Sequence, residues 1–128
     1  MIYNILIVDD ALFMRNMIKD IFADKKIFNI VGEAENGKEA INKYKELRPD
    51  LVTMDITMPE IDGIANGIAA TREILKFDEE AKIVICSAIG QDQHIMDAIE
   101  AGACDYITKP PQSGDVLRIV KSILGIIP

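Results

Sequence analysis

The chain has 128 residues, 49% of them hydrophobic, which is enough for one domain with a buried core. Its 14 Lys and Arg residues against 21 Asp and Glu residues give a net charge of −7, which argues against general affinity for nucleic acid or anionic membranes. The N-terminus lacks a signal-peptide pattern and no run of about 18 apolar residues suggests a membrane span, so we expect a cytoplasmic protein.

Short apolar runs of strand length alternate along the chain with segments of helical apolar spacing. The predicted strands cover residues 5–8, 28–31, 50–54, 83–86 and 105–107. The first predicted helix is carried by the apolar residues Phe13, Met17, Ile18, Ile21 and Phe22, and others are predicted near 40–47, 68–76, 95–99 and 116–124. This alternation predicts a doubly wound α/β fold with a parallel sheet covered on both faces, as a single domain over residues 1–128.

The two cysteines, Cys86 and Cys104, are distant in sequence and have no CxxC pair or neighbouring histidine. This pattern favours neither a zinc site nor a disulfide, so both thiols are predicted to be reduced and buried in the core. The single histidine, His94, falls in a predicted helix and is interpreted as a solvated helix residue without a titrating role.

Polar side chains follow four of the five predicted strands. Asp9 and Asp10 follow the first strand, Asp55 the third, Ser87 the fourth and Lys109 the fifth. Ligands of open parallel sheets bind beyond the carboxyl ends of the strands, so these side chains are predicted to converge there. Three carboxylates in one crevice repel one another unless a cation joins them, and their hard oxygen atoms suit Mg²⁺.

The segments VDDALFMR, TMDITMPE, CSAIGQ and YITKPP contain these polar residues. Together they resemble the receiver domain of two-component response regulators, and within that family the single-domain chemotaxis regulators. The resemblance covers essentially the whole chain. It implies a (βα)5 flavodoxin-like fold with strand order 2-1-3-4-5, an order taken from the family and not from the spacing. It also implies a signalling switch without an output domain, and Mg²⁺ as its cofactor.

The resemblance gives the acidic residues distinct roles. Asp55 is expected to be the phosphoacceptor, because a carboxylate that attacks phosphorus forms an acyl phosphate. Asp10, Asp55 and the backbone carbonyl of Thr57 are expected to bind the metal directly, whereas Asp9 is expected to act mainly through water.

The resemblance also implies how phosphorylation is sensed. Lys109 and the Ser87 hydroxyl are expected to bind phosphoryl oxygens, and the new contact to Ser87 is expected to draw its loop inward. Tyr106 matches the aromatic switch position and is expected to turn inward as that loop closes. Thr57 and Ile89 occupy the two positions that tune the lifetime of the phosphorylated state.

The implied partners are a histidine kinase of the CheA type and a flagellar or archaellar motor switch or adaptor protein, with the chain acting as a monomer. In the family, the output face is formed by the fourth helix, fifth strand and fifth helix. Its acidic residues here are Asp92, Asp97, Glu100, Asp105 and Asp115. They outnumber Arg118 and Lys121, so electrostatic complementarity would require a basic partner, although such a charge excess also serves solubility.

Three other functions share part of this pattern. A phosphatase of the haloacid dehalogenase type also uses an Asp nucleophile and Mg²⁺, but it carries a DxD pattern where this chain has Thr57. A flavodoxin-like FMN carrier would need a phosphate cradle where the first loop reads DDALF. A stand-alone receiver that passes its phosphoryl group to a histidine protein in a phosphorelay stays open.

The segment DGIANGIAATREI is about four residues longer than in the usual receiver, which is roughly one helical turn. If the added residues are helical, one apolar face runs from Ile64 to Leu75 and the third helix extends toward the site. If they are not, Asn66 caps a helix that begins near Gly67, after a long loop. Gly67 weakens a helix interior, which favours the second reading.

Overall fold

The computed structural model describes residues 1–126, in which a parallel five-stranded sheet is covered by helices on both faces. The strands are β1 (Tyr3–Val8), β2 (Phe28–Ala34), β3 (Leu51–Asp55), β4 (Ile83–Ser87) and β5 (Asp105–Thr108). The helices are α1 (Leu12–Ile21), α2 (Gly37–Leu47), α3 (Gly67–Phe77), α4 (Asp92–Glu100) and α5 (Ser113–Leu124). The sheet order is β2-β1-β3-β4-β5. The predicted α/β class and strand order are both confirmed.

The apolar side chains of β1 divide between two cores, one on each face of the sheet. Leu6 and Val8 pack into the core covered by α2, α3 and α4, whereas Ile5 and Ile7 pack into the core covered by α1 and α5. All four side chains are buried, and full burial of each such side chain contributes about 1.5–3 kcal/mol. Strand β1 is therefore fixed in place up to Val8, the residue that precedes Asp9.

The added segment before α3 forms a tight turn and not an extra helical turn. Ile61 and Ile64 pair as an antiparallel bridge around Asp62 and Gly63, which adopt φ angles of 51° and 82°. Asp-Gly is a preferred pair for such a turn because both residues tolerate positive φ. The Asn66 side chain then accepts a hydrogen bond from the Ala69 N–H and caps α3. The second of the two predicted arrangements is confirmed.

Gly67 allows α3 to begin directly against the strand that ends in Asp55. A β-carbon at this position would lie 1.9 Å from the Asp55 carbonyl oxygen, so any other residue would force the helix away. The Gly67 N–H donates to the Ile56 carbonyl at 2.8 Å, which fixes this close approach.

Two residues differ in burial from what the sequence suggests. Phe13 is one of the apolar residues whose spacing predicts α1, but it is 72% exposed and Arg15 is buried in that part of the helix. Cys104 was expected in the core, but it is exposed, because it lies in the short connection between α4 and β5 and not within a strand. Cys86 is buried in β4 as predicted, and His94 is exposed on α4 as predicted.

Over residues 1–126, none of the helices is both long enough and apolar enough to cross a membrane.

Candidate functional site

The three acidic residues meet at the carboxyl ends of the central strands. Asp9 follows β1 and is 1% exposed, Asp55 is the last residue of β3 and is 5% exposed, and Asp10 is exposed to solvent. One carboxylate oxygen from each lies within 4.8 Å of the others. The predicted convergence of these carboxylates is thus a feature of the structure.

Lys109 joins two of the three carboxylates. It directly follows β5, and its Nζ lies 2.9 Å from Oδ2 of Asp9 and 2.8 Å from Oδ1 of Asp55. Burial alone would lower the pKa of this amine, but the hydrogen bonds to Asp55 and Asp9 outweigh burial and hold the pKa above its usual value. The amine therefore stays charged at neutral pH.

The surroundings of Asp55 raise the pKa of its carboxyl. Burial is the largest cause that raises the pKa of its carboxyl to about 6, the hydrogen bond from Lys109 opposes this, and the charges of Asp9 and Asp10 raise it further. Three carboxylates and one ammonium leave two formal negative charges in the crevice. A divalent cation would balance them, so the residues present fit Mg²⁺.

Both oxygen atoms of Asp9 already have partners. Oδ1 accepts from the Ala11 N–H at 2.9 Å, and Oδ2 accepts from Lys109. Asp10 is solvent-exposed, and Lys109 donates to Oδ1 of Asp55. Within residues 1–126, Asp10 and Asp55 are accordingly the carboxylates with oxygen atoms left to bind a cation, and Asp9 is better placed to orient the loop and the lysine.

The buried hydroxyl of Ser87 makes no hydrogen bond within the described part of the chain. Ser87 ends β4 and is completely buried, and within residues 1–126 its Oγ has no hydrogen-bond partner. An unsatisfied buried hydroxyl is costly, by about 1–3 kcal/mol, and calls for a functional or solvent explanation. Its neighbour Cys86 pairs with Asp55 across the sheet, so the hydroxyl lies one residue beyond the phosphoacceptor candidate.

The predicted switch and lifetime residues are all exposed to solvent. Tyr106, in β5, is 43% exposed and so faces outward in this conformation. Ile89 is 82% exposed in the loop after β4, and Thr57 is exposed in the loop after β3. Lys109 is followed by a cis peptide bond to Pro110.

Arg15 supports the acidic loop and was not identified from the sequence. Its Nη1 donates to the Asp9 carbonyl at 2.8 Å, and its Nε donates to Oε1 of Glu33 on β2 at 2.9 Å. Lys19 adds a second ion pair to Glu33 at 3.1 Å, and both cations help to lower the pKa of this carboxyl against its partial burial. The only sign of this role in the sequence is an arginine on the buried face of α1, because its partner Glu33 lies on β2, far along the chain.

The sequence does not identify Gln91 as a residue of the site either. Its side chain connects the loop after β3 to the loop after β4, through Thr57 and the Ala88 amide. Nothing in the local sequence marks this contact, because it depends on how two distant loops meet.

Comparison with known proteins decides the family. The family model of the response regulator receiver domain matches residues 5–121. The chain belongs to this family. It is a CheY-like receiver domain, and domains of this family act as signalling switches.

Curated relatives and a solved structure resemble the receiver over nearly its whole length. It is 56% identical to the chemotaxis protein CheY of Bacillus subtilis over 125 residues, which cover 98% of this chain and 100% of the relative. It is 48% identical to CheY of Halobacterium salinarum, with 94% of this chain and 95% of that protein covered.

The solved structure is the CheX–CheY–BeF3–Mg²⁺ complex of Borrelia burgdorferi. It matches with a TM-score of 0.85 and 38% identity, over 94% of this chain and 88% of that chain.

Proposed function

We propose that this receiver is a stand-alone chemotaxis response regulator, which accepts a phosphoryl group on Asp55 from a histidine kinase of the CheA type. The observation that carries the proposal is the crevice in which three carboxylates meet Lys109 next to the unsatisfied Ser87 hydroxyl. Relatives named CheY, matched over nearly their whole length, support both the chemotaxis role and a receiver that acts without an output domain.

The chemical step is a phosphoryl transfer from a phosphohistidine of the kinase. An oxygen atom of Asp55 attacks the phosphorus, a P–O bond forms, and the P–N bond breaks with its electron pair left on the imidazole nitrogen, which takes up a proton. Later hydrolysis of the acyl phosphate by water returns Asp55 and releases inorganic phosphate. We propose that the receiver's own residues promote both steps.

Magnesium would be held by Asp10, Asp55 and the backbone carbonyl of Thr57, with Asp9 acting through water. When bound, Mg²⁺ neutralises charge on the attacking carboxylate and on the phosphoryl oxygens. The free oxygen atoms of Asp10 and Asp55 and the doubly occupied carboxylate of Asp9 support this division of roles. The Borrelia burgdorferi CheY complex, which contains Mg²⁺ and BeF3, supports Mg²⁺ as the metal.

The switch is proposed to start at Ser87. A phosphoryl group on Asp55 offers oxygen acceptors to two donors, the Lys109 ammonium and the orphan Ser87 hydroxyl. Movement of Ser87 toward this acceptor draws in the loop after β4 and opens space for Tyr106, which is exposed in the resting structure, to turn inward. The face of α4, β5 and α5 then binds the motor switch or adaptor.

Phosphotransfer from a chemotaxis kinase tests this function and separates it from a phosphorelay. The expected result is Mg²⁺-dependent transfer to Asp55 and phosphorylation-dependent binding of a motor switch or adaptor protein. Rapid return of the phosphoryl group to a histidine phosphotransferase, without motor binding, would instead establish the relay intermediate.

The exposed side chain of Ile89 leads to a prediction about signal lifetime. Water must reach the phosphorus in line with the Asp55 oxygen to hydrolyse the acyl phosphate, and a bulky apolar side chain in the bordering loop hinders it. We expect Ile89→Ala to shorten the phosphorylated half-life severalfold, as measured by loss of radiolabel after kinase removal. A longer or unchanged half-life would contradict the steric argument, and Met96→Ala, which alters an exposed apolar residue of α4, is the matched control.

The acidic output face leads to a prediction about association rate. Glu100 is exposed and Asp97 is partly exposed on α4, and both lie close to the exposed apolar side chains Met96 and Ile99. Rim charges steer encounter with a partner of opposite charge and act on the association rate more than on the final affinity. We expect the double reversal Asp97→Lys and Glu100→Lys to slow binding of the phosphorylated receiver to a basic adaptor severalfold, by stopped-flow kinetics.

The control for this experiment carries the same change in net charge elsewhere. Glu46→Lys with Glu79→Lys reverses two exposed acids, one on α2 and one beyond α3, and should leave the rate within about twofold. The wild-type rate should fall as salt rises. Salt-independent binding that ignores the α4 reversals would exclude the acidic face as the docking surface.

A further inference from the structure

Gln91 connects two loops that border the phosphoryl site. It directly precedes α4, and within the described chain its side chain makes no capping hydrogen bond to that helix. Its Oε1 instead accepts from the Ala88 N–H at 2.8 Å, and its Nε2 donates to Oγ1 of Thr57 at 3.1 Å. Both polar ends of the carboxamide are thus used in contacts between loops and not at the start of the helix.

Both partners of Gln91 adjoin residues of the proposed reaction. Ala88 follows Ser87 in the chain, and Thr57 lies two residues after Asp55. Thr57 is held near the sheet because the adjacent Ile56 and Met58 are buried in the core. The Gln91 side chain thus links the Ser87 loop, which is proposed to move, to Thr57, which is held in place beside Asp55.

Ser87 and Ala88 differ in their hydrogen bonding although they share a peptide bond. Across residues 1–126 the Ser87 hydroxyl finds no partner, whereas the Ala88 N–H is satisfied by Gln91. A phosphoryl group on Asp55 would draw the hydroxyl toward it and carry Ala88 along. Since Thr57 does not follow this movement, Gln91 cannot keep both of its hydrogen bonds.

We propose that Gln91 is a positioning residue, which holds the Ser87 loop in its resting arrangement through the bridge from Thr57 to Ala88 and releases it when the loop closes. The inference rests on the proposed function of Asp55 and Ser87. The bridge opposes closure by about the strength of one net hydrogen bond, which corresponds to roughly a fivefold shift in the closing equilibrium.

The experiment measures the affinity of the full chain for beryllofluoride at saturating Mg²⁺, by NMR titration of the Ala88 amide. We expect Gln91→Ala to bind about fivefold more tightly than wild type, because closure no longer breaks the bridge. Thr57→Val removes the other anchor, so the double variant should bind no more tightly than Gln91→Ala alone. Gln93→Ala is the matched control, since Gln93 lies in the first turn of α4 and its side chain donates to Asp97 and not to either loop, so its removal should leave the affinity unchanged.

A gain in affinity cannot result from a damaged fold, so the direction of the effect is informative. Unchanged or weaker binding by Gln91→Ala, or additive effects of the two substitutions, would overturn the role of the bridge while the proposed function stands. Failure of the wild-type receiver to bind beryllofluoride with Mg²⁺ would instead overturn the proposed function, and the bridge with it.

Discussion

Asp55→Asn is expected to abolish uptake of a phosphoryl group. The carboxamide has almost the same shape as the carboxylate but cannot form an acyl phosphate, so transfer from the kinase should fall by on the order of 1000-fold or more. The fold should be retained, because the Asn side-chain oxygen can still accept a hydrogen bond from Lys109. In the wild type, Lys109 Nζ lies 2.8 Å from Oδ1 of Asp55. Removal of one of three mutually repelling carboxylates should make the metal-free variant at least as stable as wild type.

Radiolabel transfer from the kinase and thermal unfolding measure these two effects on the same preparation. Asp62→Asn is the matched control, because Asp62 lies in the turn before α3 with a φ angle of 51°, a conformation that Asn adopts readily. This control should be labelled like wild type. Persistent labelling of Asp55→Asn at another residue would show that Asp55 is not the phosphoacceptor.

The site could be predicted from the sequence because its functional residues lie at the ends of strands. β1, β3 and β4 are largely apolar and buried, and a polar residue at or directly after the end of each strand marks where the chain leaves the core. In a parallel sheet these points meet at one edge, so the sequence alone predicts that Asp9, Asp55 and Ser87 lie together. The family resemblance supplied the strand order and the separate role of each residue.

Sequence-based prediction failed where a side chain has its hydrogen-bond partner far along the chain, because the local apolar pattern does not contain that information. The apolar spacing that predicts α1 includes Phe13, yet Phe13 is exposed and Arg15 is buried, because Glu33 and the Asp9 carbonyl satisfy its guanidinium. A count of apolar residues cannot detect a buried charge whose partner lies on another strand. The Gln91 bridge escaped prediction for the same reason, since it joins loops that are remote in sequence.

Addition of Mg²⁺ is expected to stabilise the receiver strongly at neutral pH and weakly at pH 5. A cation that binds only the folded chain adds about 2.7 kcal/mol at 100 times its dissociation constant, which raises Tm by roughly 5–10 °C for a domain of this size. Burial and the neighbouring carboxylates raise the pKa of Asp55 from 3.8 to about 6, so near pH 5 the folded site retains a proton that the metal must displace. The gain from Mg²⁺ should therefore grow as pH rises through about 6.

The metal-free receiver should show the opposite trend. Because the folded-state pKa of Asp55 lies above the unfolded value, the folded state binds more protons between pH 3.8 and about 6, and this carboxyl makes stability fall as pH rises through that window. Lys109 does not alter the trend, since the pKa of its amine is raised above 10.5 and its charge is constant there.

Thermal unfolding with and without Mg²⁺ at pH 5.0 and 7.5 separates these two trends. Asp10→Asn should lose most of the Mg²⁺ gain, because Asp10 is a proposed direct ligand, whereas Glu79→Gln changes an exposed acid outside the cluster and should keep the gain in full. Equal gains at both pH values, or a full gain in Asp10→Asn, would place the cation elsewhere. A gain that follows the ionisation of Asp55 would tie metal binding to the same carboxylate that accepts the phosphoryl group, so one titration would then govern both the stability and the reactivity of the switch.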